Sequence, residues 1–348
     1  MIKLLDLINH SRFTIIYPQV DPFLNINYPT LTALHLLKNN SHHITNTGQL
    51  LQSQLKQIKS QFSSPIAILP FKPSAKTEKI CQEQGWLCLA NPTRISRELE
   101  DKIKFTQLCD YHQLPTIPHQ IAPLNSTNYQ TAQTKFGPKL VIQTHFGWAG
   151  NSTFLSEDFS HIAKLVPPNT PSKFMPYLDG FTVTNNCCLT KFGLIQSPIA
   201  RQLSNITKYS TNPFATTGRQ WPSFVPDIVA NKCQQITDKI GKIIKPFGYR
   251  GFFGIDFFVH QNQVLILEIN PRLTASFGYY TKLEIEANFT PLFLFHLAEF
   301  LPLDYQIDLS QQQLRTTSKL IIGTEITPKD NLGKTISQHH QKEPIFRP

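Results

Sequence analysis

The residues best equipped for chemistry fall in two adjacent stretches, GFFGIDFFVH at 251–260 and VLILEINPRLTASF at 264–277. Val264, Leu265, Ile266, Leu267 and Ile269 suit a sheet interior, yet Glu268, Asn270 and Arg272 interrupt that pattern at every second position. Side chains alternate across a strand, so these three share a face with Val264 and Ile266, while Leu265, Leu267 and Ile269 turn to the core. The preceding strand adds a second acid, Asp256. A three-residue turn, Gln261-Asn262-Gln263, pairs His260 with Val264 and therefore Asp256 with Glu268. A two- or four-residue turn sends Asp256 to the opposite face. Asn262 tolerates the left-handed conformation that the three-residue turn requires.

Two carboxylates directly opposite each other repel unless a cation lies between them, and an unpaired buried carboxylate is costly. With an amide oxygen alongside, the expected guest is a hard divalent cation, Mg²⁺ or Mn²⁺, held by Asp256, Glu268 and Asn270. Arg272 then forks onto a phosphate or acyl-phosphate oxygen. The competing reading is an exposed hairpin whose Glu and Arg form a surface pair.

These residues need a scaffold, and the chain predicts one of strands and helices. FTIIYPQ (13–19), PIAILPF (65–71) and WLCLA (86–90) read as strands, separated by helical stretches around 29–38, 48–61 and 75–84. That alternation implies a small parallel sheet. SRELEDKIKFTQLCDYHQLP reads as one helix with a Ser cap, running to Pro115. Strands follow at 139–144, 172–178 and 181–190, with turn chemistry at Phe146-Gly147-Trp148-Ala149-Gly150 and Asp179-Gly180. A third region holds LIQSPIARQLS, a helix near 226–245, the two stretches quoted first and an apolar helix at 290–301. The last 45 residues are polar, with one candidate strand at 319–326. The coarse picture is two small α/β lobes flanking an antiparallel lid-like region.

Composition narrows the function classes. The 348 residues are 40% hydrophobic with 25 Phe, which marks a folded protein with room for two or three lobes. The net charge of +10 is dispersed. Its densest group, Lys232, Lys239, Lys242 and Lys245, shares a helix with the apolar stripe Val229, Cys233, Ile236, Ile240 and Ile243, so the lysines are its wetted face and nucleic acid is not the expected partner. Six cysteines without a C-x-x-C pair suit reduced thiols. With no cleavable leader or span-length apolar run in view, the expectation is a cytoplasmic protein without membrane contact. Twelve histidines are scattered, and His42-His43 and His339-His340 lack metal-ligand spacing.

G-F-F-G-I-D-F-F-V followed by L-E-I-N-P-R resembles the C-terminal half of the nucleotide site of the ATP-grasp superfamily. The resemblance covers about residues 95–301. It implies an α/β architecture of α+β lobes: an N-terminal pre-ATP-grasp domain (1–100), a central lid subdomain (101–190), a C-terminal subdomain with the metal site (191–305) and a polar extension (306–348). Carried over, Asp256, Glu268 and Asn270 hold Mg²⁺ (or Mn²⁺), and Arg272 clamps a phosphate or carboxylate. Asp101-Lys102 looks like the family element whose lysine reaches the ATP phosphates. A second family lysine ends the next strand, where this chain has Gln143, and Lys139 on the same strand face is roughly 13 Å away. Gln143 donates a hydrogen bond but brings no charge. Gly147, Gly150, Ser152 and Thr153 suit a phosphate-covering loop. SKFMPYLDG resembles the hinge that reads adenine, with Met175, Tyr177 and Leu178 as candidates. Pro176 lacks an N–H, so the donor is Tyr177 or Leu178. The family's acidic hinge residue has no obvious counterpart.

The implied activity is ATP-dependent ligation: a small-molecule carboxylate is activated as an acyl phosphate and joined to an amine of amino acid or peptide type, or less often to a thiol. Phosphoryl transfer without ligation and a nucleotide-binding protein with a decayed site are the alternatives, and Gln143 is the argument for the last. Arg201 and Arg219 are candidate anchors for a substrate carboxylate. The acid, the amine and the oligomeric state are not legible.

Overall fold

The structure is a computed structural model, and it describes residues 2–346 apart from 25, 27, 40, 42, 148, 149 and 331–333. His42 and the Trp148-Ala149 pair of the expected turn lie outside the described residues.

The first lobe contains α1 (Ile2–Asn9), β1 (Thr14–Gln19), β2 (Leu34–Lys38), α2 (Thr47–Ser53), α3 (Leu55–Gln61), β3 (Ile66–Ile68), α4 (Ala75–Gln84) and β4 (Leu87–Cys88). Its sheet is parallel, in the order β2-β1-β3-β4. The helix expected at 29–38 is instead strand β2, paired in register with β1 from Ile15↔Leu34 to Gln19↔Lys38. Its short apolar run fits either period, and pairing with β1 overrides the local preference.

Two helices, α5 (Thr93–Glu100) and α6 (Lys102–Tyr111), replace the single helix expected here. Asp101 separates them, leaving helical space at φ −65°, ψ 110°, and its carboxylate accepts from the N–H groups of Ile103 and Lys104. An acid followed by two orphan helical amides is an N-cap, so the break is chemically specified. Lys102 is thereby fixed as the first residue of α6.

The lid lobe has β5 (Gln120–Pro123), α7 (Ser126–Phe136), β6 (Leu140–Gln143), β7 (Thr153–Ser156), α8 (Phe159–Leu165) and β8 (Pro171–Pro176). Its antiparallel sheet runs β5-β8-β6-β7.

The large lobe contains β9 (Phe181–Thr190), β10 (Gly193–Gln196), β11 (Ala200–Ser204), β12 (Thr216–Trp221), α9 (Asp227–Ile244), β13 (Gly251–His260), β14 (Gln263–Asn270), α10 (Phe277–Glu286), α11 (Leu292–Phe300), α12 (Leu309–Gln313), β15 (Gly323–Ile326) and β16 (His339–Gln341). The sheet order is β14-β13-β9-β11-β12-β15-β16, with β10 also on β9. β9 therefore belongs with β13 and β11, not with the lid strands, and the polar C-terminal segment contributes β15 and β16 to this sheet.

Helix α9 buries Val229, Cys233, Ile236, Ile240 and Ile244 against Val183, Phe253, Ile255, Phe257 and Val264. Each such side chain contributes roughly 1.5–3 kcal/mol. Lys232, Lys239, Lys242 and Lys245 face water, as the periodicity requires. On the opposite face, α10 and α11 pack against Tyr17, Leu69 and Phe71 of the first lobe. The rest of that face is open and forms a cleft floor.

Candidate active site

The β13–β14 hairpin turns on two residues, not three: His260 pairs with Gln263, and Gln261 and Asn262 both have positive φ (49° and 64°). By alternation alone this turn would separate Asp256 from Glu268. A β-bulge corrects the register. Phe257 pairs with Ile266 and Asp256 with Glu268, leaving Leu267 as the extra residue. A bulge places two successive side chains on one side of the sheet. Leu267, Glu268 and Asn270 thus all line the cleft, while Val264, Ile266 and Ile269 go to the core under α9. The expected sorting of this strand is therefore revised: Val264 and Ile266 do not share the acid's face, and Leu265 and Leu267 do not join Ile269.

The cleft measures about 600 Å³, within the usual size for a ligand site. One end is apolar: Ile117, Val141, Met175, Leu178, Phe258 and Leu267 line it. In the neighbouring segment the Tyr177 N–H donates to the Lys139 carbonyl (3.1 Å), so that donor is already used; the Lys139 ammonium sits 4.2 Å from the Tyr177 ring.

In the middle, Lys102 pairs with Glu268. Burial alone would raise the Glu268 carboxyl, but the Lys102 ammonium outweighs it and holds the group below its ordinary range. Asp256 moves the other way, pushed up by burial and then by the Glu268 charge, against the pull of Arg219. It is held by neutral donors, Gln202 Nε2 at 2.8 Å and Asn270 Nδ2 at 3.3 Å. Arg272 is turned to Asn270 Oδ1 (2.9 Å) and Glu100 (3.3 Å), over the ring of Phe71. Glu100, which sequence reasoning did not single out, also binds Lys72 at 2.8 Å. These contacts link the first lobe to the cleft.

Among the described residues no cluster of three or more His, Cys, Asp or Glu has metal-binding geometry. The candidate ligand set is two carboxylates and an amide, all hard oxygen donors. Asp256 and Glu268 face each other, Lys102 pairs with the second, and the first is hydrogen-bonded by amides with Arg219 pulling from farther off. Two facing carboxylates with an amide beside them fit a divalent ion.

The lid covers this centre. Gly147 and Gly150 line the cleft, and the bonds Thr144 N–H to Ser152 O and Thr153 N–H to Gly150 O (3.0 Å each) fold the loop back. Gly150 has φ +81°, and a Cβ there would come 2.9 Å from the Phe214 carbonyl carbon, so only glycine fits. The loop is tied to α6 twice: Lys102 N–H donates to the His145 carbonyl at 2.9 Å, and His145 Nδ1 lies 2.7 Å from Asp101.

Gln143 lines the cleft, donates to Thr153 Oγ1 (3.2 Å), and has a buried Oε1 without a donor. One strand over stands a buried lysine that does not itself line the cleft. Lys173 on β8 is its direct antiparallel partner. It is buried, donates to Thr106 Oγ1 on α6 (3.1 Å), and its pKa is lowered to about 8 by burial and then by Lys102. No sequence motif announces Lys173; the signal was the charge deficit at Gln143 together with the strand pairing that brings SKFMP beside KLVIQ.

Arg201 does not reach the cleft; it stacks 3.3 Å from the Phe181 ring centroid. Arg219 does line it.

This arrangement agrees with the comparisons. The model of the ATP-grasp domain matches residues 99–276, just over half of the chain. The chain belongs to the ATP-grasp family. The arginine-specific large chain of carbamoyl phosphate synthase from Geobacillus stearothermophilus is 21% identical over 232 residues, 66% of this chain and 21% of that protein. The chain thus spans about a fifth of the length of the curated relatives it matches. Among solved structures, Staphylococcus aureus N5-carboxyaminoimidazole synthetase with ADP superposes at TM-score 0.58 and 16% identity, covering 90% of this chain and 75% of that one. Campylobacter jejuni biotin carboxylase with an ATP analogue gives 0.64 and 14%, covering 94% and 72%. At these identities the likeness shows a shared fold: the ATP-grasp architecture. Among the described residues no helix is long and apolar enough to cross a membrane.

Proposed function

We propose that this ATP-grasp chain is an ATP- and Mg²⁺-dependent ligase that activates a substrate carboxylate and joins it to an amine. The observation that carries this reading is the bulge-corrected pairing of Asp256 with Glu268 in a cleft that has cations above it and an apolar slot beside it.

In this reading the purine lies in the slot between Met175 and Leu267, with Leu178 N–H as hinge donor. Tyr177 forms the rim, because its own N–H is already used. Gly147 and Gly150 let backbone amides approach the phosphates. Asp256, Glu268 and Asn270 would hold Mg²⁺, which when bound supplies the positive charge that two facing carboxylates and a triphosphate lack. Lys102, paired with Glu268, would turn to the phosphates, and Lys173, the strand partner of Gln143, would add a second cation behind it. Arg272 clamps the transferring phosphoryl group or the acid. A carboxylate oxygen attacks the γ-phosphorus as the bond to ADP breaks. The amine then attacks the acyl carbon, expels phosphate and loses a proton. Positioning and charge neutralisation do the catalysis, so no side-chain nucleophile is needed. Lys173 beside Gln143 is what speaks against a decayed site in this reading, since it keeps a cation next to residue 143.

The test is a screen of small carboxylates with amines in the presence of ATP and Mg²⁺. Equimolar ADP and phosphate with a conjugate detected by mass spectrometry is the expected result. ADP without free phosphate would overturn ligation in favour of simple phosphoryl transfer, and bound ATP that is never consumed would overturn activity altogether.

A further inference from the structure

The glycine loop of the lid and the helix that carries Lys102 are joined through one side chain, His145. It follows Gln143, the last residue of β6, by two positions and directly precedes Phe146 and Gly147. Across from it Asp101, 4% exposed, is the N-cap of α6. The two oxygens of that carboxylate are used differently. Oδ1 accepts from the N–H groups of Ile103 (3.0 Å) and Lys104 (3.2 Å), two orphan amides of the first turn. Oδ2 has one partner among the described residues, His145 Nδ1 at 2.7 Å, which also lies 2.8 Å from Oδ1. A carboxylate offers only lone pairs, so Nδ1 carries the hydrogen and donates. The backbone closes the other half of this clasp: the Lys102 N–H, a third orphan amide, donates to the His145 carbonyl at 2.9 Å.

The clasp fixes positions more than it holds the fold together. Asp101 caps α6 with or without His145, because the helical amides bind Oδ1. The His145 side chain is 32% exposed, so its removal uncovers little apolar surface. On one side of the clasp the Lys102 ammonium reaches Glu268, and on the other Gly147 lines the cleft two residues along from His145. Phe146 is held as well, its ring stacked with His145 (centroids 6.2 Å apart, planes at 29°) and 5.0 Å from the Arg97 guanidinium of α5. The loop and the amine are thus placed relative to each other by a single side-chain donor and a single backbone bond.

We propose that His145 is a positioning residue for the triphosphate: through Asp101 and its own carbonyl it keeps the glycine loop and the Lys102 amine in one register, so that both meet the β- and γ-phosphates together. It touches no reacting atom itself. Met175 and Leu267, which line the apolar slot, belong to β8 and β14 and do not depend on the clasp. His145 therefore acts on the tail of the nucleotide and not on its base. The proposal rests on the reading of this cleft as an ATP site, and adds to it a residue that no motif of the sequence singled out.

Calorimetric titration of the full chain tests it, with MgATP and AMP as separate probes. His145→Phe keeps the ring and loses the donor. It is expected to weaken MgATP about tenfold, the cost of one hydrogen bond to a charged group, and to leave AMP unchanged. His145→Asn puts an amide N–H close to the position of Nδ1 and should restore most of the affinity, whereas His145→Gln, one methylene longer, should not. Should His145→Phe fail to fold, as read by its circular-dichroism melt, the Asn and Gln variants decide between them. Three results would each overturn the proposal: parental MgATP affinity in His145→Phe, an equal loss of AMP, or an Asn variant no better than Gln. All three leave the ATP site standing, because the parent still binds MgATP. A parent that does not bind MgATP removes the ATP reading and this role with it.

Discussion

Two buried ion pairs in this chain share a chemistry and differ in everything around it. Arg315 and Glu284 are both fully buried. The guanidinium also donates to the Thr290 carbonyl (2.9 Å) and to Gln312, while Glu284 accepts from Leu292 N–H with both oxygens at 3.1 Å. Lys102 and Glu268 also pair, but Glu268 keeps 24% of its side chain open to the cleft, and its facing neighbour is another acid. The first pair is saturated and closed. The second is open and has a competing anion beside it. A saturated pair ties the C-terminal segment to α10, whereas an open one is available for exchange with a ligand, and burial alone does not distinguish the two.

Breaking the closed pair should have the larger consequence. Burial pushes the Glu284 carboxyl up, and Arg315 pulls it back down, so the charge depends on its partner. Arg315→Met is expected to lower stability by about 3–5 kcal/mol, because it leaves a buried carboxylate without its cation. Adding Glu284→Leu should recover most of the loss, since replacing both partners by apolar groups is often neutral. Urea unfolding of the three proteins checks this. A single variant as stable as the parent would show the tie to be idle.

The open pair should respond in function instead. Glu268→Gln is expected to lower turnover about 10²–10³-fold, or about 3–4 kcal/mol of barrier, with the melting temperature within a few degrees of the parent. Steady-state ADP release and a thermal melt on the same preparation separate the two effects. Turnover at the parental rate would remove Glu268 from the reaction. A collapse in stability would make it a second structural tie and end the contrast.

A smaller effect is expected at the lid. Gly150→Ala should raise the Michaelis constant for ATP roughly tenfold, because the left-handed backbone at φ +81° and the contact with Phe214 both resist a Cβ. An unchanged constant would show that the loop rearranges freely around this residue.

How much of this was legible before the structure depended on how local the signal was. The stripe on α9 and the acids Asp256 and Glu268 are written in short-range periodicity, although Ile244 and not the expected Ile243 closes the stripe and Ile243 is only half-buried. The two-residue turn and the bulge are not, because Leu265 and Leu267 are as apolar as the core-facing Ile266 and Ile269, so hydrophobic pattern alone cannot tell which leucine is the extra residue. Lys173 is a lone lysine in a strand, and only its register with Gln143 gives it meaning. Arg219 and Glu325 meet because β15 joins β12, a pairing between segments distant in sequence. Arg315 sits in a stretch whose polarity reads as surface, yet it is fully buried. Long-range pairing carries the information that composition hides.

Lys173 permits the finest version of the comparison, since it is a buried cation that forms no ion pair among the described residues. Its folded pKa of about 8 lies below the ordinary 10.5. Between those values the unfolded chain holds the proton that the folded chain has released, so stability rises with pH across that window, and below pH 8 the full cost of the buried charge is present. That cost is about 3 kcal/mol at the conversion of 1.36 kcal/mol per unit, less about 1 kcal/mol for the bond to Thr106. Lys173→Met is therefore expected to stabilise the ligand-free protein by about 1–2 kcal/mol at pH 7, and to flatten the rise between pH 8 and 10.5. On the proposed reading the same change should weaken ATP binding about tenfold, because it removes the cation beside Gln143. Unfolding free energies across that pH range and nucleotide titrations at pH 7 give the two numbers. Stabilisation without loss of affinity would make Lys173 a tolerated defect. Loss of affinity without stabilisation would mean that the ammonium already has its counter-charge in the empty cleft. Only the opposed pair of effects marks a residue kept at a cost to the fold for the sake of the nucleotide.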